Sequence, residues 1–370
     1  MFVKYNINKS LEIIPSNQNA NYLVKPDIEI FINIVLKELQ NVSAIILEGS
    51  YGRQEGAYVK RMGKFDLVND LDFLIITSSY INEKKISRIK KKFLSMSTIK
   101  RVDIAQETSQ SLHKFKPTLL NYDRKFGSTI VYGNKACLDN IPNWTSSRIP
   151  IREAEKLLMT RLVGFILLYK HVFINQQVDH DGNFQLKQQL SKSVIAIFDA
   201  FLIDEGTYIS SYRRRASMIN NQDIFNESEK SLIADSFAFK LAPEYGEAFN
   251  VKEYYFKVRD FFIKYFLYIA RKQYKTLGKN LYNFDCHYLY DLRKVSIGIY
   301  QLFRNTKPPF RHGMYLNLAQ LYFVLSVSKA NEFDMLYCKK SLKYITLVSE
   351  KECSSDFPFT LVDEILRLRM

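Results

Sequence analysis

The residues with the most chemistry fall in two short stretches and one isolated position. "IILEGSYGR" (Ile45–Arg53) is an apolar run that ends on Glu48, Gly49 and Ser50, and "NDLDFLII" (Asn69–Ile76) sets Asp70 and Asp72 ahead of another apolar run. A strand that ends on Gly-Ser and turns into a helix offers free backbone N–H groups to an anion. Gly49 would let a phosphate approach closely, and Ser50 would add a hydroxyl donor. Asp70 and Asp72 flank Leu71 at a strand start, so period-two alternation points both carboxylates the same way. Carboxylates so placed hold magnesium when a phosphate supplies the remaining oxygens. Asp103, inside the apolar "IKRVDIA" (Ile99–Ala105), is a third acid, and a shared metal would compensate its charge if the two strands are neighbours. Each piece alone reads as ordinary structure: a turn, a strand cap, an edge residue. Their conjunction, in this order and within residues 45–105, points to one site.

The elements that must position these residues are legible in outline. Apolar spacing at Ile28, Phe31, Ile32, Val35 and Leu36 predicts a helix over Pro26–Gln40, and "EKKISRIKKKFLSM" predicts a basic helix over Glu83–Met96. Short β-branched runs predict strands at Val42–Gly49, Asp72–Thr77, Ile99–Ala105 and Ser128–Gly133. The fold class expected is α+β, a small mixed sheet with its helices on one face, followed by a mostly helical domain. The expected division is an N-terminal segment (1–25), a catalytic domain (26–149) and a helical domain (150–370) that closes over the cleft. Gly206 and Gly278 stand where helix ends are expected in the second half.

Composition narrows the partners. The chain has 370 residues, 47% of them apolar, which excludes global disorder. A net charge of +15 favours an anionic partner, and it is spread out: 22 basic and 14 acidic residues precede residue 151, and 31 and 24 follow. No run reaches the ~18 apolar residues of a membrane span. "LVGFILLYKHVFI" carries Lys170 and reads as a buried helix. The first residues lack a secretory pattern, so a cytoplasmic location is expected. Cys137, Cys286, Cys338 and Cys353 have no metal-binding or disulfide spacing and read as reduced thiols.

On Leu47-Glu48-Gly49-Ser50, Asp70-Leu71-Asp72-Phe73 and Asp103, the chain resembles the nucleotidyltransferase superfamily that includes DNA polymerase beta, the poly(A) polymerases and the aminoglycoside nucleotidyltransferases. The likeness covers roughly residues 26–140. It departs from the family in the nineteen residues of 51–69, a longer spacer than usual, in which "AYVKRMGKF" looks like an inserted loop. The resemblance implies transfer of a nucleoside monophosphate from an NTP, with release of pyrophosphate, to a hydroxyl or phosphate of a small-molecule, glycan-related or RNA acceptor. It implies two Mg²⁺ (or Mn²⁺) ions held by Asp70, Asp72 and Asp103, with Asp103 as general base. Gly49 and Ser50 would hold the β and γ phosphates, with Arg53 as charge partner. The helical half also looks like the closing domain of bacterial members, with Lys192, and less strongly Arg161, as a triphosphate contact.

Three basic features stand apart from this site. The cations of the 83–96 helix read as a solvated face before a nucleic-acid track, while Arg213–Arg215 and the Arg304, Lys307, Arg311, His312 loop are better placed for an anionic acceptor. Two other readings compete. A catalytically degenerate domain of this fold would bind nucleic acid or protein indifferently to the aspartates. A glycosyltransferase also uses Asp-x-Asp, but Asp70 comes early for one, and that class needs neither Gly-Ser nor Asp103.

Overall fold

The computed structural model describes residues 19–61, 64–174, 180–245, 250–275, 312–327 and 335–346, together with 277, 284 and 362. These form two compact units. The first takes the described residues of Met1–Pro150 with Glu205–Asn226 and Phe237–Tyr245; the second takes those of Ile151–Asp204, Glu227–Ser236 and Gly246–Met370. Segments 205–226 and 237–245, which the sequence reading placed in one continuous helical domain, therefore belong with the sheet.

The first unit begins with α1 (Asn19–Glu38), β1 (Val42–Glu48), a single turn α2 (Gly49–Gly52), and the strands β2 (Tyr58–Arg61), β3 (Lys64–Leu67) and β4 (Leu71–Thr77). It continues with α3 (Glu83–Met96), β5 (Val102–Thr108), the short α4 (Ser109–Leu112), α5 (Leu119–Phe126) and β6 (Thr129–Gly133). The main sheet is mixed, in the order β5-β4-β1-β6; β4 and β5 are parallel, and β1 is antiparallel to both β4 and β6. Segment 57–65, expected as a loop, contributes to a separate hairpin in which Tyr58 pairs with Leu67 and Arg61 with Lys64.

Helices α1 and α3 cover one face of the sheet because their apolar stripes meet the odd-numbered side chains of β1 and β4. Ile28, Phe31, Val35, Ile89 and Phe93 pack with Ile45, Leu47, Leu71, Phe73 and Ile75 in one cluster. The Phe31 ring stacks on Phe73 at 3.7 Å, and Phe93 meets both edge-on at 5.4 and 6.3 Å. Each buried ring contributes roughly 1.5–3 kcal/mol, which fixes the strand that carries Asp72. The Asp27 carboxylate, 3% exposed, accepts from the Thr98 N–H (2.9 Å) and hydroxyl (2.8 Å), tying α1 to the segment before β5. On the other face Ala44, Ile46, Leu74 and Ile76 pack with Leu112, Cys137 and Ile141.

Two boundaries differ from the sequence pattern. Helix α1 starts at Asn19 and runs through Pro26, whose missing N–H frees the carbonyl of Tyr22, a residue 69% exposed. Strand β5 lies three residues later than expected, because pairing with β4, starting at Leu71 with Val102, sets its register.

Segment 205–226 of the first unit carries α8 (Tyr212–Ala216), which follows α6 (Ile151–Tyr169) and α7 (His180–Asp204) in the chain. Those two helices belong to the second unit with α10 (Val251–Gln273), α11 (His312–Ser326) and α12 (Met335–Thr346); α9 (Glu227–Leu241) begins there and ends in the first. Within the second unit Phe165 packs on Tyr255 and Phe262, and Tyr169 on Phe323. Arg259 donates to the carbonyls of Val324 and Leu325 at the end of α11, where a cation complements the helix dipole. Among the described residues no helix is long and apolar enough to cross a membrane.

Candidate active site

Strand register brings the acids together. Asp72 pairs with Asp103 across the parallel β4–β5 ladder and with Glu48 across the antiparallel β1–β4 ladder. Residues directly opposite each other on neighbouring strands project to the same face, so three carboxylates form a row across β5, β4 and β1. The row lies on the face opposite α1 and α3, since Asp72 shares its parity with Leu74 and Ile76. It opens into a cleft of about 290 Å³ whose lining includes Glu48, Gly49, Arg53, Asp72, Asp103, Leu120, Asp123, Arg124 and Ser128.

Gly49 is where the chain leaves β1 toward α2, with φ at +65° in the left-handed region. A Cβ there would collide with Asp72 Oδ2, so the glycine and the carboxylate occupy adjoining space. Ser50 does not line the cleft; it is 7% exposed, and its carbonyl accepts from the Glu55 N–H at 2.8 Å. Asp70 stands just before β4, exposed to solvent and outside the cleft lining.

The electrostatics of the row are strained by proximity. Burial, then the neighbouring Asp103, Asp70 and Glu48 carboxylates, push Asp72 up to about 6, against the opposing pull of Arg53. Burial also raises Glu48, although Arg124 donates from Nε to its Oε1 at 2.8 Å and stands 3.8 Å from Glu107. Asp103, with a side chain 76% exposed on the edge strand, meets Lys90 Nζ at 3.4 Å. The expected solvated face of α3 thus includes a partner for the third acid, while Lys92 and Arg88 pair with Glu38 at 3.0 and 3.8 Å.

Arg53 lies at the cleft with a side chain only 8% exposed. Its Nη1 stands 3.5 Å from Asp123, its Nε 3.8 Å from Glu55, and its guanidinium 4.7 Å from the Tyr212 ring centroid. Both ion pairs are longer than hydrogen bonds, and Arg53 Nε makes none.

The donor set suits a hard divalent cation. It consists of carboxylate oxygens, with Asp103 and Glu48 raising the proton affinity of Asp72 between them, and no thiolate or imidazole lines the cleft. Among the described residues no three His, Cys, Asp or Glu side chains stand in ligating positions around one point. Mg²⁺ does not require such a cage, because it binds through one or two carboxylates and takes its remaining oxygens from phosphate and water.

Of the other sequence candidates, Lys192 is a half-buried residue of α7 in the second unit, and Arg161 one of α6. The Arg213–Arg215 run does not act as one patch: Arg215 is 1% exposed, with its guanidinium 4.4 Å from the Tyr212 ring and 4.9 Å from Tyr208. Arg304, Lys307 and Arg311, the His312 side chain, Cys286 and Cys353 lie outside the described residues. Cys137 and Cys338 are buried free thiols. Sequence reasoning missed roles for Glu48, Glu55, Asp123, Arg124 and Tyr208. Only Glu48 carried a signal, as the last residue of a strand whose neighbour carries Asp72.

No protein-family model matches the chain, and no curated protein matches it in sequence. Among solved structures, spectinomycin adenyltransferase AAD(9) from Enterococcus faecialis, with ATP and spectinomycin, is similar at 13% identity and a TM-score of 0.40. That match covers 64% of this chain and 98% of the other.

Proposed function

We propose that this chain transfers a nucleoside monophosphate from an NTP to a hydroxyl of a small-molecule acceptor, releasing pyrophosphate. The observation that carries the reading is the register of Asp72 with Asp103 on adjacent parallel strands, beside the left-handed Gly49 that opens the cleft. In the reaction the acceptor oxygen bonds to the α-phosphorus as the bond from that phosphorus to the α–β bridging oxygen breaks, and the acceptor proton leaves to a base.

Asp72 and Asp103 would hold Mg²⁺, with Asp70 adding negative charge nearby and phosphate and water supplying the remaining oxygens. The ion, when bound, supplies charge neutralisation on the triphosphate and a lowered pKa for the acceptor hydroxyl. Asp103 is the base in this reading: it is solvent-accessible, lies opposite Asp72 on the neighbouring strand, and has Lys90 Nζ 3.4 Å from its carboxylate. Gly49 admits the phosphates close to the backbone, Ser50 supports that turn, and Arg53 supplies a positive charge at the cleft wall.

The test is pyrophosphate release from each of the four NTPs with Mg²⁺ and a panel of hydroxyl-bearing acceptors, in wild type and Asp72→Asn. Turnover that survives the substitution unchanged would sink the metal assignment. Consumption of a nucleotide sugar without pyrophosphate would indicate a glycosyltransferase instead.

A further inference from the structure

We propose that Glu55 is a positioning residue for the phosphate-facing Arg53, acting by pinning the start of α8 beside the guanidinium; this rests on reading the cleft as an NTP site. Glu55 is 6% exposed, and its carboxylate is fully engaged. Oε1 accepts from the Ser211 hydroxyl (2.8 Å) and the Arg213 N–H (2.9 Å), and Oε2 from the Tyr212 N–H (2.8 Å). Its own N–H donates to the Ser50 carbonyl, so one residue joins the turn after Gly49 to the first residues of α8.

That connection sets the walls around Arg53. Tyr212, whose N–H Glu55 holds, places its ring 4.7 Å from the guanidinium, and Oε2 of Glu55 itself stands 3.8 Å from Arg53 Nε. The remaining wall is Asp123, 3.5 Å from Nη1, and the Tyr208 hydroxyl reaches both its oxygens at 3.0 and 3.2 Å. Every group that orients Arg53 is thus tied to segment 205–226, within the same unit.

Glu55 and Ser211 cap α8 together, Ser211 accepting from the Arg214 N–H and Glu55 from those of Tyr212 and Arg213. Capping does not account for the placement of its charge. Glu55 adds a buried negative charge beside Arg53 while spending its hydrogen-bond capacity on other donors. The guanidinium is therefore oriented and charge-compensated, yet it gives no short hydrogen bond to either carboxylate where Arg53 lines the cleft.

The experiment is calorimetric binding of a non-hydrolysable NTP analogue with Mg²⁺ to wild type, Glu55→Gln, Arg53→Ala and the double variant, with thermal unfolding and steady-state kinetics alongside. Glu55→Gln is expected to weaken binding about tenfold and to raise KM with kcat little changed, as when one charge-assisted contact is misplaced. In the Arg53→Ala background the same substitution should cause no further loss, because the two act through one contact. Glu55→Asp, which keeps the charge but shortens the side chain by one methylene, should weaken binding in the same direction and serves where Glu55→Gln does not fold. A lowered melting temperature with unchanged affinity would reduce Glu55 to a structural cap and overturn the proposal. So would a full loss that persists without Arg53, or unchanged affinity in Glu55→Asp should Glu55→Gln not fold. Wild type that binds no NTP would instead defeat the reading of the cleft, and this inference with it.

Discussion

Substituting alanine for Gly49 should damage function far more than stability. The residue sits at φ +65°, where a non-glycine side chain costs about 1–2 kcal/mol. The new Cβ would also overlap Asp72 Oδ2 and stand 3.1 Å from Asp72 Cγ. Relief requires turning Asp72 away from its preferred rotamer, which costs about 0.5–1.5 kcal/mol, or prising β1 from β4. Stability should therefore fall by about 2–3 kcal/mol, a visible drop in urea midpoint that leaves the protein folded. The displaced group is the central carboxylate of the row. Moving it on the order of 1 Å from its working position should lower kcat/KM for pyrophosphate release by on the order of 100-fold. Pairing a denaturation curve with that rate measurement separates the two effects. A Gly49→Ala variant that keeps kcat/KM within about threefold of wild type, or that loses activity only in proportion to unfolded protein, would show that Gly49 does not set the position of Asp72.

Asp72→Asn should stabilise the protein while abolishing Mg²⁺-dependent NTP binding. Asp72 is held up at about 6 against an ordinary value of 3.8, so its ionisation destabilises the fold as pH rises from about 4 through 6. At pH 7.5 the variant should therefore exceed wild type by about 1–3 kcal/mol, a margin that closes below about pH 4 in urea titrations. Arg124→Ala leaves Glu48 buried without its 2.8 Å partner and should cost about 3 kcal/mol, read as a fall in melting temperature. Phe73→Ala removes a ring stacked at 3.7 Å on Phe31 and should cost about 3–5 kcal/mol in a denaturant titration.

Elements whose signals are local were legible in the sequence. Helix α3 spans Glu83–Met96 as read, because Asn82 accepts from the Lys84 N–H at its start and Ile89 and Phe93 fall on one buried face. Strands β1 and β4 were legible because one apolar run ends on Gly49 and the other follows Asp72, and strand parity alone was enough to relate Asp72 to Asp103 once their strands were assumed adjacent. Long-range contacts left no such trace. Glu55 and Tyr212 are 157 residues apart, and nothing in "YGRQEG" indicates which chain its acid will hold. Arg215 sits in a run of three arginines that reads as a surface patch, but stacking against Tyr208 and Tyr212 buries it. Asp123 and Arg124 are ordinary residues of an amphipathic helix until packing turns α5 into a wall of the cleft.

If Asp72 and its neighbours form a metal-dependent triphosphate site, binding of an NTP depends on both the ion and the Asp72 carboxylate. The decisive measurement is titration of a non-hydrolysable NTP analogue into wild type and Asp72→Asn, each with Mg²⁺ and with EDTA. Binding in wild type should require Mg²⁺ and disappear in the folded variant. Equal affinity in all four titrations, or no binding of any NTP to wild type, would contradict it.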